Sequence, residues 1–80
     1  MKPDEFSVAA HWDAEAECWW ADSDDIPGLV SEAKTFEELV ERVMAVIPEL
    51  LVLNGLVTDE RAEVPIHVIA DRVEKVLMRA

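Results

Sequence analysis

Hydrophobic and polar positions alternate along residues 6–12, where nearly every second side chain is large and apolar. This period of two is typical of a strand with one buried face. The apolar side of that strand consists of Phe6, Val8, Ala10 and Trp12. Residues 17–22 predict a second, aromatic strand, with a polar link at residues 13–16. Because the link has no Asn-Gly pair, we expect a hairpin loop of about three to five residues.

An Ile-Pro-Gly segment interrupts the pattern after the second strand. Pro27 has a fixed φ and favours an extended Ile26, and Gly28 can adopt a positive φ or allow a close backbone approach. Residues 29–33 are short and compatible with a third strand. The segment is therefore predicted to turn the chain from one strand into the next.

A capping box opens the following element, because Glu38 lies three residues after Thr35. Apolar residues then recur at helical spacing over residues 36–51, which predicts one amphipathic helix. The apolar stripe continues beyond Pro48, so we expect a kink there rather than an end. Gly55 is predicted to lie just past the last helical turn.

Residues 64–70 predict a fourth strand after a polar connection at residues 56–63. Pro65 near its start is typical of an edge strand or of a first strand residue. Residues 71–80 fit either a helical face or a continued strand. The predicted order is β-β-β-α-β in a single domain over residues 1–80, an α+β fold with an antiparallel sheet and one main helix on one face.

The net charge of −11 is concentrated in the first half of the chain. Residues 1–38 contain eleven acidic and two basic residues, a net charge of −9, whereas residues 39–80 contain seven acidic and five basic residues, a net charge of −2. Such a surface repels nucleic-acid phosphates and favours encounter with a basic partner. Solubility of a small protein explains the acids equally well.

Neither a membrane protein nor a disulfide-bonded protein is indicated. No apolar run approaches the roughly 20 residues that span a bilayer, and the first residues lack the apolar segment of a signal peptide, so we expect a cytoplasmic protein without a membrane partner. Cys18 is the single cysteine and is expected to act as a small buried hydrophobe. His11 and His67 lie on different predicted strands, where a structural role is expected.

Three acids precede the turn and resemble a fragment of a calcium loop: Asp22, Asp24 and Asp25. They lack the downstream Gly and bidentate Glu of an EF-hand, and Pro27 intervenes. The chain also lacks a Gly-rich phosphate loop and a His pair with helical zinc spacing. We therefore predict a non-enzymatic protein with no catalytic residue, no metal and no cofactor.

Trp19 and Trp20 are adjacent on a predicted strand, so they point to opposite faces of the sheet. One helix covers one face only, which leaves one of the two on the open face. That side chain either forms an interface or packs against the C-terminal segment of its own chain. The small size of the domain favours a dimer. The candidate residues for a partner or dimer interface are Trp19, Trp20, Asp22, Asp24, Asp25, Ile66 and Val68.

The sequence CWWADSDDIPGL at residues 18–29, followed by EAKTFEEL at residues 32–39, resembles the N-terminal domain of HicB antitoxins. More closely, residues 6–75 resemble a family of small stand-alone HicB-like proteins of unknown function. Those proteins share SDDIPGL, a VIPELLxLNG helix end and a VPIHVIA strand. The resemblance implies a partial ribonuclease-H-like fold of β-β-β-α-β order.

HicB proteins bind and block HicA, a small basic toxin that cleaves mRNA with a histidine. The resemblance therefore implies a protein-binding module that neutralises such a toxin. Many HicB proteins carry a C-terminal DNA-binding domain, for which no residues follow residue 80, so we expect no direct contact with nucleic acid. The alternative is a stand-alone homo-oligomer with a scaffold or small-ligand role. A third hypothesis, a minor enzyme or metal protein, would use His67 or the acids before the turn.

Overall fold

The computed structural model describes residues 5–57 and 63–79. They form four strands and one helix in the order β-β-β-α-β, so the predicted α+β class and element order are confirmed. The elements are β1 (Phe6–Asp13), β2 (Cys18–Asp22), β3 (Val30–Ala33), α1 (Phe36–Leu53) and β4 (Ile66–Asp71). Most of the predicted polar connection, residues 58–62, lies outside the described residues.

The sheet has the strand order β3-β2-β1-β4, which makes β3 and β4 its edges. The β1–β2 hairpin and the β2–β3 pair are antiparallel, as predicted for the hairpin. β4 pairs with β1 in parallel, so the complete sheet is mixed, and the prediction of an antiparallel sheet is wrong for this pair. A parallel neighbour needs a crossover connection, and α1 lies within the one that leads from β3 to β4. The edge position predicted from Pro65 is confirmed.

The hairpin loop spans residues 14–17, within the predicted length. Asp13 organises it, because its Oδ1 accepts hydrogen bonds from the amides of Glu15 at 3.1 Å and Ala16 at 3.2 Å. Asp side chains commonly bond the backbone two residues ahead in this way. Glu17 completes the loop with a φ of 55°.

Thr35 and Gly55 lie at the two ends of α1, as predicted. Thr35 Oγ1 accepts a hydrogen bond from the Glu38 amide at 3.1 Å. At the other end Gly55, with a φ of 67°, donates to the carbonyl of Val52 at 3.1 Å. Leu56 donates to the carbonyl of Leu51 at 2.9 Å, which completes a Schellman motif. These caps satisfy backbone groups that a helix end otherwise leaves unpaired.

The helix continues through Pro48, as the unbroken apolar stripe predicted. One side of it is buried at intervals of four residues, at Leu39, Val43, Ile47 and Leu51. They pack against the sheet and the Pro-Gly turn, which contribute Phe6, Val8, Ala10, Trp19, Ala21, Ile26, Leu29 and Ala33. No helix within the described residues is long and apolar enough to cross a bilayer.

The chain continues past β4 without regular secondary structure. Residues 72–79 are neither helix nor strand, and only Asp71 of the ambiguous C-terminal segment belongs to β4. Every described residue of this segment is exposed. The molecule is correspondingly long, with extents of 58, 25 and 18 Å along its principal axes.

Candidate functional site

The two adjacent tryptophans separate the covered face of the sheet from its open face. Trp19 is 8% exposed and lies under α1, with its ring centroid 5.4 Å from Phe36 and 5.5 Å from Trp12. Trp20 is 38% exposed on the opposite side. Trp19 is therefore a core residue, and Trp20 is the tryptophan that remains available on the open face.

The open face consists of the side chains that alternate with the buried ones along the four strands. Cross-strand register places them in rows, with Trp20 opposite both His11 and Glu32, and His11 opposite Asp71. The face comprises Ser7, Ala9, His11, Asp13, Cys18, Trp20, Asp22, Val30, Glu32, His67, Ile69 and Asp71.

A stacked group of side chains occupies the centre of the open face. The rings of His11 and Trp20 lie 4.2 Å apart with an interplanar angle of 29°. His11 Nε2 lies 3.1 Å from Asp22 Oδ1, within hydrogen-bond distance. The carboxylate thus fixes the imidazole, and the imidazole supports one side of the indole. Trp20 is therefore supported on one face by the His11 ring.

The chemistry of the open face is apolar and acidic. Trp20, Val30 and Ile69 are large hydrophobic residues that remain exposed there. Four carboxylates surround them, at Asp13, Asp22, Glu32 and Asp71, and no Lys or Arg belongs to the part of the face that the structure describes. Such a combination of an apolar centre and uniformly negative flanks is complementary to a basic protein surface.

The acids of the Asp-Ser-Asp-Asp segment mainly hold the fold together at one corner of this face. Asp25 Oδ2 accepts a hydrogen bond from the Ser7 amide at 2.7 Å. Ser23 Oγ donates to the Ser7 carbonyl at 2.6 Å and accepts from the amides of Asp25 at 3.0 Å and Ile26 at 3.1 Å. Asp24 is exposed beside them. The corner therefore fastens the turn to the start of β1.

The hydroxyl, thiol and histidine side chains around the open face make the following contacts. The Ser23 hydroxyl donates to a backbone carbonyl, so it is not poised as a nucleophile activated by His11. Cys18 is half-buried, and its register partner is Asp13 rather than a histidine. No group of three or more potential metal ligands converges anywhere in residues 5–57 or 63–79. His67, on the outer strand, pairs with Glu5.

The candidate interface residues fall into three groups. Trp20 and Asp22 belong to the open face, and Asp24 and Asp25 to its acidic corner. Trp19, Ile66 and Val68 lie on the covered side, where the last two are half-buried against the core. Sequence reasoning missed several open-face residues as candidates: His11, Val30, Glu32, Ile69 and Asp71. Their parity along each strand, opposite to that of the buried residues, was the signal that could have found them.

Comparison with known proteins places the chain in a family. The profile of a domain of unknown function, DUF1902, matches residues 5–80. The chain belongs to this family. It is also similar to a hypothetical protein of the extremely thermophilic bacterium Thermus thermophilus, with 38% identity and a TM-score of 0.67 to its crystal structure. The match covers 92% of this chain and 99% of the other.

A search of curated proteins returns no match. The two descriptions that do match name neither an antitoxin nor a ligand. Membership of the DUF1902 family therefore establishes kinship but assigns no activity.

Proposed function

We propose that this DUF1902 domain is a non-enzymatic protein-binding module of the HicB antitoxin type. It would act in the cytoplasm and neutralise a small basic mRNA-cleaving toxin by binding it on the open face of the sheet. The observation that carries the proposal is the chemistry of that face, where exposed Trp20 lies among carboxylates with no described Lys or Arg.

The charge of the domain suits this kind of target. A toxin that cleaves mRNA needs a basic surface, since contacts to phosphates dominate the affinity for nucleic acid. A protein that covers such a surface competes best when it presents acids in the same place. The net charge of −11 would also accelerate the encounter with a basic partner.

Trp20 supplies the anchor that a protein interface requires. A few residues carry most of the binding energy of an interface, and tryptophan is among the commonest of them. The stack on His11, itself held by Asp22, keeps the indole in place. Because a pre-organised side chain loses little conformational entropy on binding, more of its burial appears as affinity.

The resemblance of the SDDIPGL and TFEE segments to HicB antitoxins supports the same interpretation from the sequence. These segments form the Pro-Gly turn and the start of α1, which position β3 beside the tryptophan strand. They therefore help to position the strands that form the open face.

The test begins with a candidate toxin. This would be a basic protein of about 60–80 residues with a central histidine, encoded by a gene next to that of the domain. Its affinity for the domain is measured by calorimetry, and its association rate by stopped flow. Trp20→Ala is expected to weaken binding at least about thirtyfold, which corresponds to about 2 kcal/mol. Unchanged affinity would refute the open face as the docking surface.

A matched pair of charge reversals separates the effect of local charge on the association rate from the effect of net charge. Glu32→Lys reverses a charge on the open face, and Glu41→Lys makes the same change on the exposed side of α1. The first should slow association clearly more than the second, and added salt should reduce the difference. Equal effects of the two reversals would show that only the net charge matters.

A further inference from the structure

The C-terminal tail, residues 72–79, is the most exposed apolar segment among the described residues. Val73, Val76, Leu77 and Met78 are 77, 79, 80 and 83% exposed. Single exposed hydrophobic residues are normal on a protein surface, but a contiguous group of them marks an interaction site. The described part of the chain therefore leaves these side chains uncovered.

The root of the tail is attached to the body of the domain. The Arg72 guanidinium lies 4.0 Å from the centroid of the Trp12 ring and donates to Glu74 at 2.5 Å. Asp71 lies opposite His11 near the end of β1, so the tail leaves where both parallel strands end. The residues around the root include neither Gly nor Pro, so nothing there predicts a tight turn back along β4.

An apolar groove of about 620 Å³ lies at the other end of the domain. It runs between the C-terminal half of α1 and the start of β4, and its lining is mainly Met44, Ile47, Leu51, Val52, Val64 and Ile66. Val52 is 45% exposed, so the groove is open. Glu49 adds a negative charge to its lining.

The tail is poorly placed to reach the groove of its own chain. β4 has six residues and separates the groove at Ile66 from the tail root after Asp71, a distance of about 20 Å. The tail would have to reverse its direction completely at the root and then cover that distance. A second copy of the chain meets no such restriction.

We propose that the tail of one copy occupies the apolar groove of a second copy, and that the exchange is reciprocal, which gives a homodimer. Charge favours this occupant. The tail contains three basic residues and one acidic residue, a net charge of +2, whereas the rest of the chain contains 17 acidic and four basic residues, a net charge of −13. Lys75 and Arg79 flank residues 76–78, and their charge is opposite to that of Glu49 in the groove lining.

The exchange is independent of the proposed antitoxin function. The groove lies on the helix side of the sheet, so both open faces remain accessible in the dimer. A failure to bind a toxin would leave the dimer untouched, and a monomeric chain could still bind a toxin.

Analytical ultracentrifugation over a range of concentrations tests the proposal with the full chain. The natural chain should dimerise, and Leu77→Asp in the tail or Val52→Asp in the groove should each raise the dissociation constant at least tenfold. Val30→Asp makes the same kind of change at an exposed residue of β3 and should leave it unchanged. Circular dichroism confirms that each variant is folded. A natural chain that stays monomeric, or variants that dimerise normally, would overturn the proposal.

Mixing the two dimerisation variants identifies the contact itself. The Leu77→Asp chain retains its groove and the Val52→Asp chain retains its tail, so the mixture should form a heterodimer that neither forms alone. In a Cys18→Ser background, Leu77→Cys chains mixed with Val52→Cys chains should form disulfide-linked dimers, whereas Leu77→Cys with Val30→Cys should not. Absence of both the heterodimer and the selective cross-link would refute the tail-in-groove contact.

Discussion

Replacing Trp19 by Ala should destabilise the domain far more than the same replacement at the adjacent Trp20. Trp19 is nearly buried and packs against the rings of Trp12 and Phe36 under α1. Truncating a buried aromatic residue to Ala costs about 3–5 kcal/mol. The total free energy of unfolding of a domain of this size is roughly 4–12 kcal/mol. A loss of that size is at least about a quarter of the total and would nearly unfold a domain at the low end of this range.

Trp20→Ala should lower the free energy of unfolding much less. Its indole is already partly exposed, and its main described contact is the stack on His11. Such an aromatic pair contributes about 0.5–1.5 kcal/mol beyond the burial of area. With the partly buried apolar surface included, the expected loss is about 1–2 kcal/mol.

Urea unfolding followed by far-ultraviolet circular dichroism measures both losses, since tryptophan fluorescence would itself change with the substitution. The difference between the two variants should be at least about 2 kcal/mol, read from the midpoints with the slope held constant. Trp19→Phe and Trp20→Phe provide a milder pair if Trp19→Ala does not fold. Equal losses, or a larger loss at Trp20, would refute the assignment of the covered and open faces.

Two further predictions concern the turn before β3 and the N-terminus of α1, and both use the same urea assay. Gly28→Ala should lower the free energy of unfolding by about 1–2 kcal/mol because Gly28 has a φ of 87°, and Gly28→Asn should lower it less. An unchanged midpoint for Gly28→Ala would contradict the need for a left-handed backbone conformation at this position. Thr35→Ala should lose about 1 kcal/mol because it removes the acceptor for the Glu38 amide. Thr35→Ser should retain most of that stability, and equal losses in the two variants would argue against the cap.

The features that sequence could predict are those encoded by neighbouring residues. The alternation of residues 6–12, the Thr35 to Glu38 cap and the Gly55 helix end each depend on interactions within a few positions of the chain. These interactions between neighbouring residues are the same in most proteins, so the local sequence pattern determines the local structure. The continuation of α1 through Pro48 was predictable for the same reason, because the buried stripe extends on both sides of it.

The features that were predicted wrongly or remained open depend on contacts between distant segments. The parallel pairing of β4 with β1 is set by the crossover through α1, and no residue in β4 encodes its direction. The extended tail is ambiguous because an exposed segment has no packing partner within the described chain to select a helix or a strand. The faces to which the two tryptophans point, in contrast, could have been predicted from the sequence. Trp20 has the same parity as the polar Asp22, whereas Trp19 has that of the apolar Ala21.

The charges are unevenly distributed over the molecule. A net charge far from zero favours solubility wherever the acids lie, so solubility alone does not select their positions. Here three of the seven basic residues lie in the tail, and no Lys or Arg lies on the described open face. Asp25 and Asp22 are engaged with Ser7 and His11, so part of the acidity holds the sheet together. The carboxylates that remain around Trp20 then form a surface of one sign, which a basic partner can recognise and a second copy of the acidic body cannot.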